Sequence, residues 1–476
     1  MPINEGVHVP IPYPLSDAPQ VCRFGVEELA AMYARRDLSP VEVVSATIER
    51  AREVNTRFNA FAAIDSRFAL QEAQKSEARW RSGNARSPID GVPSTVKDVL
   101  PTKGFVVRWG SHATDDKVAE TDAPAVAALR RDGAIVIGMT TTPEFGWKGV
   151  TDSPLSGITR NPWDETLTPG GSSGGAAVAA ATGAGVLHIG TDGGGSNRIP
   201  AAFTGTVGMK PTFGRVAVYP ASWFGTVSHV GPIARSVSDA AYMLESIAGR
   251  DTRDWTQGHG RHDFYRKGRF ELRGARVGYW GEPVCGKLDH KVGSVIDKAV
   301  RRLLDCGAEI EALKIPDKFD LLSIFQTHWL TSTASLVNSL PMDKLCSVDP
   351  GLRRMAERGS AITALALFSA QLDRIKFGSW MDEQLEKFDF IISPATSTLP
   401  FEVGCEVPPD SELTSWIEWA GFTFPINLSQ HPACVIPVGS SDRGLPVAMQ
   451  VVGARGNDEK VIAVSAAIER LTCVSS

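Results

Sequence analysis

Apolar residues recur along this 476-residue chain in two rhythms. In one, Val292, Val295, Ile296, Ala299, Val300, Leu303 and Leu304 follow one another at steps of three and four, which predicts a helix over 292–304 with a single buried face. Gly307 stands where such a helix should stop. The segment VEELAAMYARRD has the same spacing. Just after it, Ser39-Pro40-Val41-Glu42 joins a capping box to a proline at the first helical position, and the apolar VEVVSATIERA continues a second helix. The other rhythm is the short unbroken apolar run: GAIVIGM at 133–139, LHIGT at 187–191, ARVGYW at 275–280, FDFIIS at 388–393, ACVIPV at 433–438 and VAMQVVG at 447–453. Strands buried on both faces read this way. Strands separated by helices predict an α/β fold with helices layered over a central sheet. Residues 251–274 are polar and basic and read as a surface loop. From about 315 to 385 the pattern turns helical and aromatic, with Phe325, Trp329, Phe368, Phe377 and Trp380, which read first as core and second as walls of a pocket.

With 43% hydrophobic and 22% charged residues the chain has globular composition and enough apolar mass for a large core. A formal net charge of −5, with no Lys/Arg block, leaves no electrostatic case for nucleic acid or an anionic membrane as partner. The seven cysteines, Cys22, Cys285, Cys306, Cys346, Cys405, Cys434 and Cys473, are odd in number and suit no zinc spacing. Free, mostly buried thiols in a reducing compartment are expected. The start, MPINEGVHVPIPYPLSDAP, has neither the basic nor the apolar segment of a secretion signal, so the expected location is the cytoplasm. His259 and His262 sit close together but in a polar stretch with no further ligands, so no metal is expected.

The run TPGGSSGGAAVAAATGAGVLHIGTDGGGSNRIPA, residues 168–201, is the chemical question. It is uncharged from Thr166 to Thr191, long enough to cross a bilayer, yet too poor in large apolar side chains to insert. It is either a flexible linker or a serine-based site. Three serine readings are open. Gly170-Gly171-Ser172-Ser173-Gly174 fits the G-x-S-x-G elbow of α/β-hydrolases, with Ser172 as nucleophile and a histidine such as His431 as base; the expected apolar strand before it is missing. Ser94-Thr95-Val96-Lys97 fits S-x-x-K, but its companion motifs are absent, and Pro93 and KDVLPTKG read as loop. The third reading makes Ser196 the nucleophile. Consecutive glycines before it let backbone N–H groups converge on one point, as an oxyanion requires. Ser172 then relays a proton to Lys97, which serves as base only if a dry pocket keeps it neutral.

Taken together, GGSSGG, GTDGGGSNRIPAAFTGTVGMKPTFGRV, the upstream GVPSTVKDVLPTKG and the downstream GPIARSVSDAA, FIISPATSTLPF and GLPVAMQVVGARGNDEKVI resemble the amidase signature family of serine hydrolases across about residues 25–470. The resemblance implies one domain over 1–476 with a mixed sheet covered by helices on both faces. Within it come an N-terminal helical part at about 20–65, a core at about 85–240, a variable pocket region at about 250–385 and the rest of the core at about 386–472. It further implies a triad of Lys97 as base, Ser172 as bridging serine on a non-proline cis peptide, and Ser196 as the acylated serine. The N–H groups of Gly193, Gly194, Gly195 and Ser196 would form the oxyanion hole. Ser173 would hydrogen-bond within the relay, and Thr191 and the Asp192–Arg198 ion pair would support the loop. No cofactor is implied. The sequence departs from the family pattern at Asn197, where a branched apolar residue is usual, and at Arg108-Trp109, where a threonine is commoner before the Gly-Ser. Asn197 is expected either to contact substrate or to cap a helix.

Pocket walls are expected from 140–150, 220–230 and 320–380, with Phe145, Trp147, Gly171, Asn197, Trp223, Phe224, Phe325 and Trp329 as substrate contacts. Few charges lie nearby, so the expected substrate is an apolar or aromatic amide, anilide, carbamate or ester. The alternative is a glutaminase-type component of a tRNA-dependent amidotransferase, which needs a charged clamp for the α-carboxylate of glutamine. A homodimer is compatible with the sequence.

Overall fold

The computed structural model describes residues 14–257 and 269–473. Eleven strands form one mixed sheet: β1 Phe61–Ile64, β2 Pro93–Lys97, β3 Ile135–Thr140, β4 Leu187–Asp192, β5 Val207–Lys210, β6 His229–Ala234, β7 Arg276–Tyr279, β8 Glu309–Ala312, β9 Phe390–Pro394, β10 Ala433–Ser440 and β11 Pro446–Val452. Their order across the sheet is β1-β3-β2-β4-β6-β5-β10-β11-β9-β7-β8. The β3-β2-β4 trio and the β9-β7-β8 trio run parallel, and antiparallel pairs join them in the middle. A separate two-stranded ribbon pairs Asp152–Ser153 with Gly157–Ile158. Because β5 pairs with β10, strands from the first and last parts of the chain share one core, and the expected layered α/β architecture is what forms.

Local signals explain most elements. Ser39 caps the helix Pro40–Phe58, accepting from the Glu42 amide while Glu42 reaches back to its own. The helix expected at 292–304 spans His290–Asp305, and Gly307 follows at φ 86°. Leu304, expected on the buried face, is exposed instead; Val292 to Leu303 already fill that face. The six apolar runs all become strands within two residues of their expected ends. One segment is corrected. Pro93 and Lys97, read as loop together with the residues up to Gly104, are the two ends of a fully buried strand, third from one edge of the sheet, while 98–104 is loop as expected. Proline opens the strand, where no ladder donor is needed, and its polar Thr95 is satisfied by His188 Nδ1 at 2.8 Å.

The serine-rich run is not a linker: Leu167 to Gly190 is buried throughout. Its glycines and alanines form the helix Gly174–Ala181. A Cβ at Gly175 would lie 2.5 Å from the Ala60 carbonyl, so this helix docks closer to its neighbours than side chains allow. No helix among the described residues is long and apolar enough to cross a membrane. The cysteines correct one expectation: of the six with described side chains all are free, but only Cys22 and Cys434 are buried. The centre of the 251–274 loop, with His259 and His262, lies outside the described residues.

Candidate active site

Lys97 ends β2, and Thr191 and Asp192 end the neighbouring parallel strand β4. Ligand sites of open α/β sheets gather at such carboxyl ends. Lys97 is fully buried, and its Nζ donates to Ser172 Oγ at 2.6 Å and to Thr191 Oγ1 at 2.9 Å. Burial lowers its pKa to about 7, against an opposing pull from Asp192. Ser172 follows a cis peptide from Gly171 and precedes the helix Gly174–Ala181. Gly146 backs onto the pair, with its missing Cβ only 3.3 Å from Ser172 Oγ.

Ser196 precedes the short helix Arg198–Thr204 and lines the same cavity as Ser172 and Thr191. Its carbonyl accepts from the Ser173 amide at 3.1 Å, which ties the two serine loops together. Asp192 holds the turn from inside. Its carboxylate accepts from the Gly195 amide at 2.9 Å, the Asn197 amide at 3.2 Å, and Arg198 Nε and Nη2, both at 2.9 Å. Burial alone would raise its pKa; the charge and hydrogen bonds of Arg198 overcome that and hold it well below the usual carboxylate range. Arg198 is itself enclosed by Thr423 O, Gln450 Oε1 and Asn427 Oδ1.

These contacts place each expected residue. Gly195 does not offer its amide to the cavity, because Asp192 already takes it. The amides of Gly193, Gly194 and Ser196 donate to no other described residue, and of the three Gly193 and Ser196 line the cavity while Gly194 does not. Ser173 bonds the Thr191 carbonyl and Asn197 Oδ1, both at 3.2 Å, rather than Ser172 or Lys97, so it braces β4 instead of joining the relay. Asn197 neither faces the cavity nor caps its helix. It is fully buried, accepting from Ser173 and donating to the Met209 carbonyl at 3.1 Å, and Gly190 and Gly231 leave the room it occupies. Asn197→Leu should therefore destabilise the fold by roughly 2 kcal/mol, seen as a lowered urea midpoint, because Ser173 and Met209 lose buried partners.

The cavity over Ser172 and Ser196 has a volume of about 170 Å³. Phe145, Trp223, Phe224 and Trp329 line it as expected, joined by Trp109, Leu100, Tyr219 and Pro220. Trp147, Gly171 and Phe325 do not line it. Trp147 lies against Gly351, and its carbonyl accepts from Trp329 Nε1. A Cβ at Gly171 would meet the Val150 backbone. Phe325 stacks behind Trp329 at 5.3 Å, so it supports the wall rather than forming it. The elbow reading fails on partners: Ser172 Oγ meets Lys97, while both ring nitrogens of His431 are taken by Ser429 O and Asp382. In the S-x-x-K reading, Ser94 is fully buried in β2 and does not reach the cavity.

The amidase family model matches residues 42–462. The chain is 35% identical, over 93% of each sequence, to a glutamyl-tRNA(Gln) amidotransferase subunit from Acidothermus cellulolyticus. A bacterial aryl acylamidase structure of the amidase signature family superposes with a TM-score of 0.87 at 28% identity, covering 94% of this chain and 96% of that one. The 6-aminohexanoate cyclic dimer hydrolase, solved with its substrate, superposes with a TM-score of 0.85 at 25% identity, covering 95% and 98%. This chain thus belongs to the amidase signature family.

Proposed function

We propose that the protein hydrolyses the C–N bond of an uncharged, apolar or aromatic amide, anilide or carbamate, and related esters, through an acyl-enzyme on Ser196. The observation that carries this reading is Lys97: a buried amine with a pKa near 7, 2.6 Å from Ser172 Oγ, beneath a cavity that also holds Ser196. Neutral Lys97 accepts the Ser172 proton as Ser172 accepts that of Ser196. Ser196 Oγ bonds to the carbonyl carbon, and the amides of Gly193 and Ser196, which line the cavity, hold the oxyanion. The proton passes back to the leaving nitrogen as its bond to carbon breaks. Water then repeats the sequence on the ester, releasing the acid and restoring the Ser196 proton.

A cavity of about 150 Å³ with apolar walls admits one benzene ring, so this one has room for at least one ring beside the reacting carbonyl. Among the described residues, none that lines it is charged. That weighs against the second reading, a glutaminase component, which the 35% identity to an amidotransferase relative favours. Glutamine would bring an ammonium and a carboxylate that find no charged partner among the described lining residues, at a cost of several kcal/mol. A serine-directed phosphonate followed by peptide mass spectrometry should label Ser196 and leave the Ser196→Ala variant unlabelled. The purified protein alone should cleave acetanilide or a phenyl carbamate faster than glutamine. Labelling at another residue, or a preference for glutamine, would overturn the reading.

A further inference from the structure

Five non-glycine residues among those described have left-handed φ angles: Arg36, Asn59, Trp109, Phe145 and Gln430. Three of them terminate helices, a common use of that conformation: Arg36 after Val26–Arg35, Asn59 after Pro40–Phe58 and Gln430 after Phe424–Ser429. Trp109 and Phe145, at φ 56° and 52°, end no helix. Bulky side chains rarely adopt this conformation, and it persists only where surrounding contacts impose it. Here they do. Asp98, next to Lys97, accepts from the amides on both sides of Trp109, at 2.9 Å from Arg108 and 3.4 Å from Gly110. The Trp109 carbonyl accepts from the Phe145 amide at 2.7 Å. The two rings meet with centroids 6.2 Å apart and both line the cavity.

We infer that the Trp109–Phe145 pair is the leaving-group site, and that it takes a flat aromatic amine. The inference rests on the reaction proposed above. In that reaction the leaving nitrogen takes its proton from Ser172, so it departs on the Ser172 side of the carbonyl. Gly146, whose missing Cβ is 3.3 Å from Ser172 Oγ, directly follows Phe145. The other aromatic pair, Phe224 stacked on Trp329 at 4.0 Å, stands at the glycine loop, with Trp329 only 3.0 Å from the missing Cβ of Gly193. That pair faces the acyl side. One wall therefore reads the amine and the other the acid.

The test compares kcat/KM for three substrates. Acetanilide and N-propylacetamide share an acyl group; acetanilide and benzanilide share a leaving group. Trp109→Ala should lower the acetanilide to N-propylacetamide ratio by about 30-fold, or about 2 kcal/mol at 1.4 kcal/mol per tenfold. Phe224→Ala should instead lower the benzanilide to acetanilide ratio. An unmoved leaving-group ratio in Trp109→Ala, or a shift in its acyl ratio instead, would overturn the assignment. Phosphonate labelling of Ser196 reports that the variant is folded, and Phe145→Leu carries the same comparison if Trp109→Ala is not. If the wild type is not labelled at Ser196, the reaction itself is misread. If labelling is normal and the ratio is unmoved, only the leaving-group assignment fails.

Discussion

Lys97→Met should lower kcat/KM by about 10⁴-fold, the upper range for base catalysis, and should at the same time make the fold more stable at neutral pH. Both effects have one cause. Lys97 is wholly buried with hydroxyl partners, so burial holds its pKa near 7. As the proposed base it works only when neutral. The wild-type kcat/KM should therefore rise with pH through about 7 and then level off. Lys97→Arg keeps a charge at every accessible pH and should remain inactive throughout. For stability the sign follows from proton counts. An unfolded lysine holds its proton up to about 10.4, whereas the folded one releases it near 7. Between those values the unfolded state binds the extra proton, so wild-type stability rises with pH across that window and carries the full penalty below it. The penalty is of order 5 kcal/mol before the Ser172 and Thr191 hydroxyls lose their partner in the methionine variant. Urea midpoints at pH 6.5 and 9.5 would show the variant ahead of wild type at the lower pH and the gap narrowing at the higher. A pH-independent kcat/KM with chemistry rate-limiting would remove Lys97 as the base.

The parts of this protein that show in its sequence are those where one physical demand fixes the residue types. A helix with one buried face needs apolar steps of three and four, and Val292 to Leu303 supply them. The serine loops need glycines because backbone must approach backbone, so their spacing stands out even without knowing the fold. β2 is hidden for the opposite reason. A buried strand usually reads as apolar, but Ser94, Thr95 and Lys97 are polar. The partners of Thr95 and Lys97 come from β4 and the serine loop, about 75 to 94 positions away. Residue type likewise cannot separate Trp329, which lines the cavity, from Trp147 and Phe325, which stand behind it. The shell around Arg198 leaves one usable trace. Gln450 interrupts the apolar run VAMQVVG, and a polar side chain at the centre of a buried strand must have a partner. Thr423 and Asn427 leave none.

Arg198→Met should cost more stability than Asn197→Leu, about 3 to 5 kcal/mol, and should abolish phosphonate labelling of Ser196 under conditions where the variant stays folded. The substitution leaves Asp192, wholly buried, without its countercharge. Arg198 also closes a shell that reaches across the chain: its Nη1 holds Gln450 on β11 and the Thr423 carbonyl, and Thr423 Oγ1 in turn donates to the Gly194 carbonyl at 2.7 Å. The loop carrying Ser196 thus takes its shape from Asp192 on one side and from this shell on the other. Asp192→Asn should also destabilise: Oδ1 accepts from the Gly195 amide and Arg198 Nη2, Oδ2 from the Asn197 amide and Arg198 Nε, and an amide keeps only one of those two oxygens. The Asp192→Asn, Arg198→Met double variant should cost less than the sum of the two single changes, because it removes both charges together. The Asp192 pKa is depressed, so the pair's contribution is fully present above the unfolded value near 3.9 and fades only as pH falls below it. Urea denaturation at pH 7 of the four proteins measures the coupling directly. Additive costs would mean that Asp192 and Arg198 act on the loop separately, and the ion pair would then not be what sets the geometry of Ser196, the proposed nucleophile.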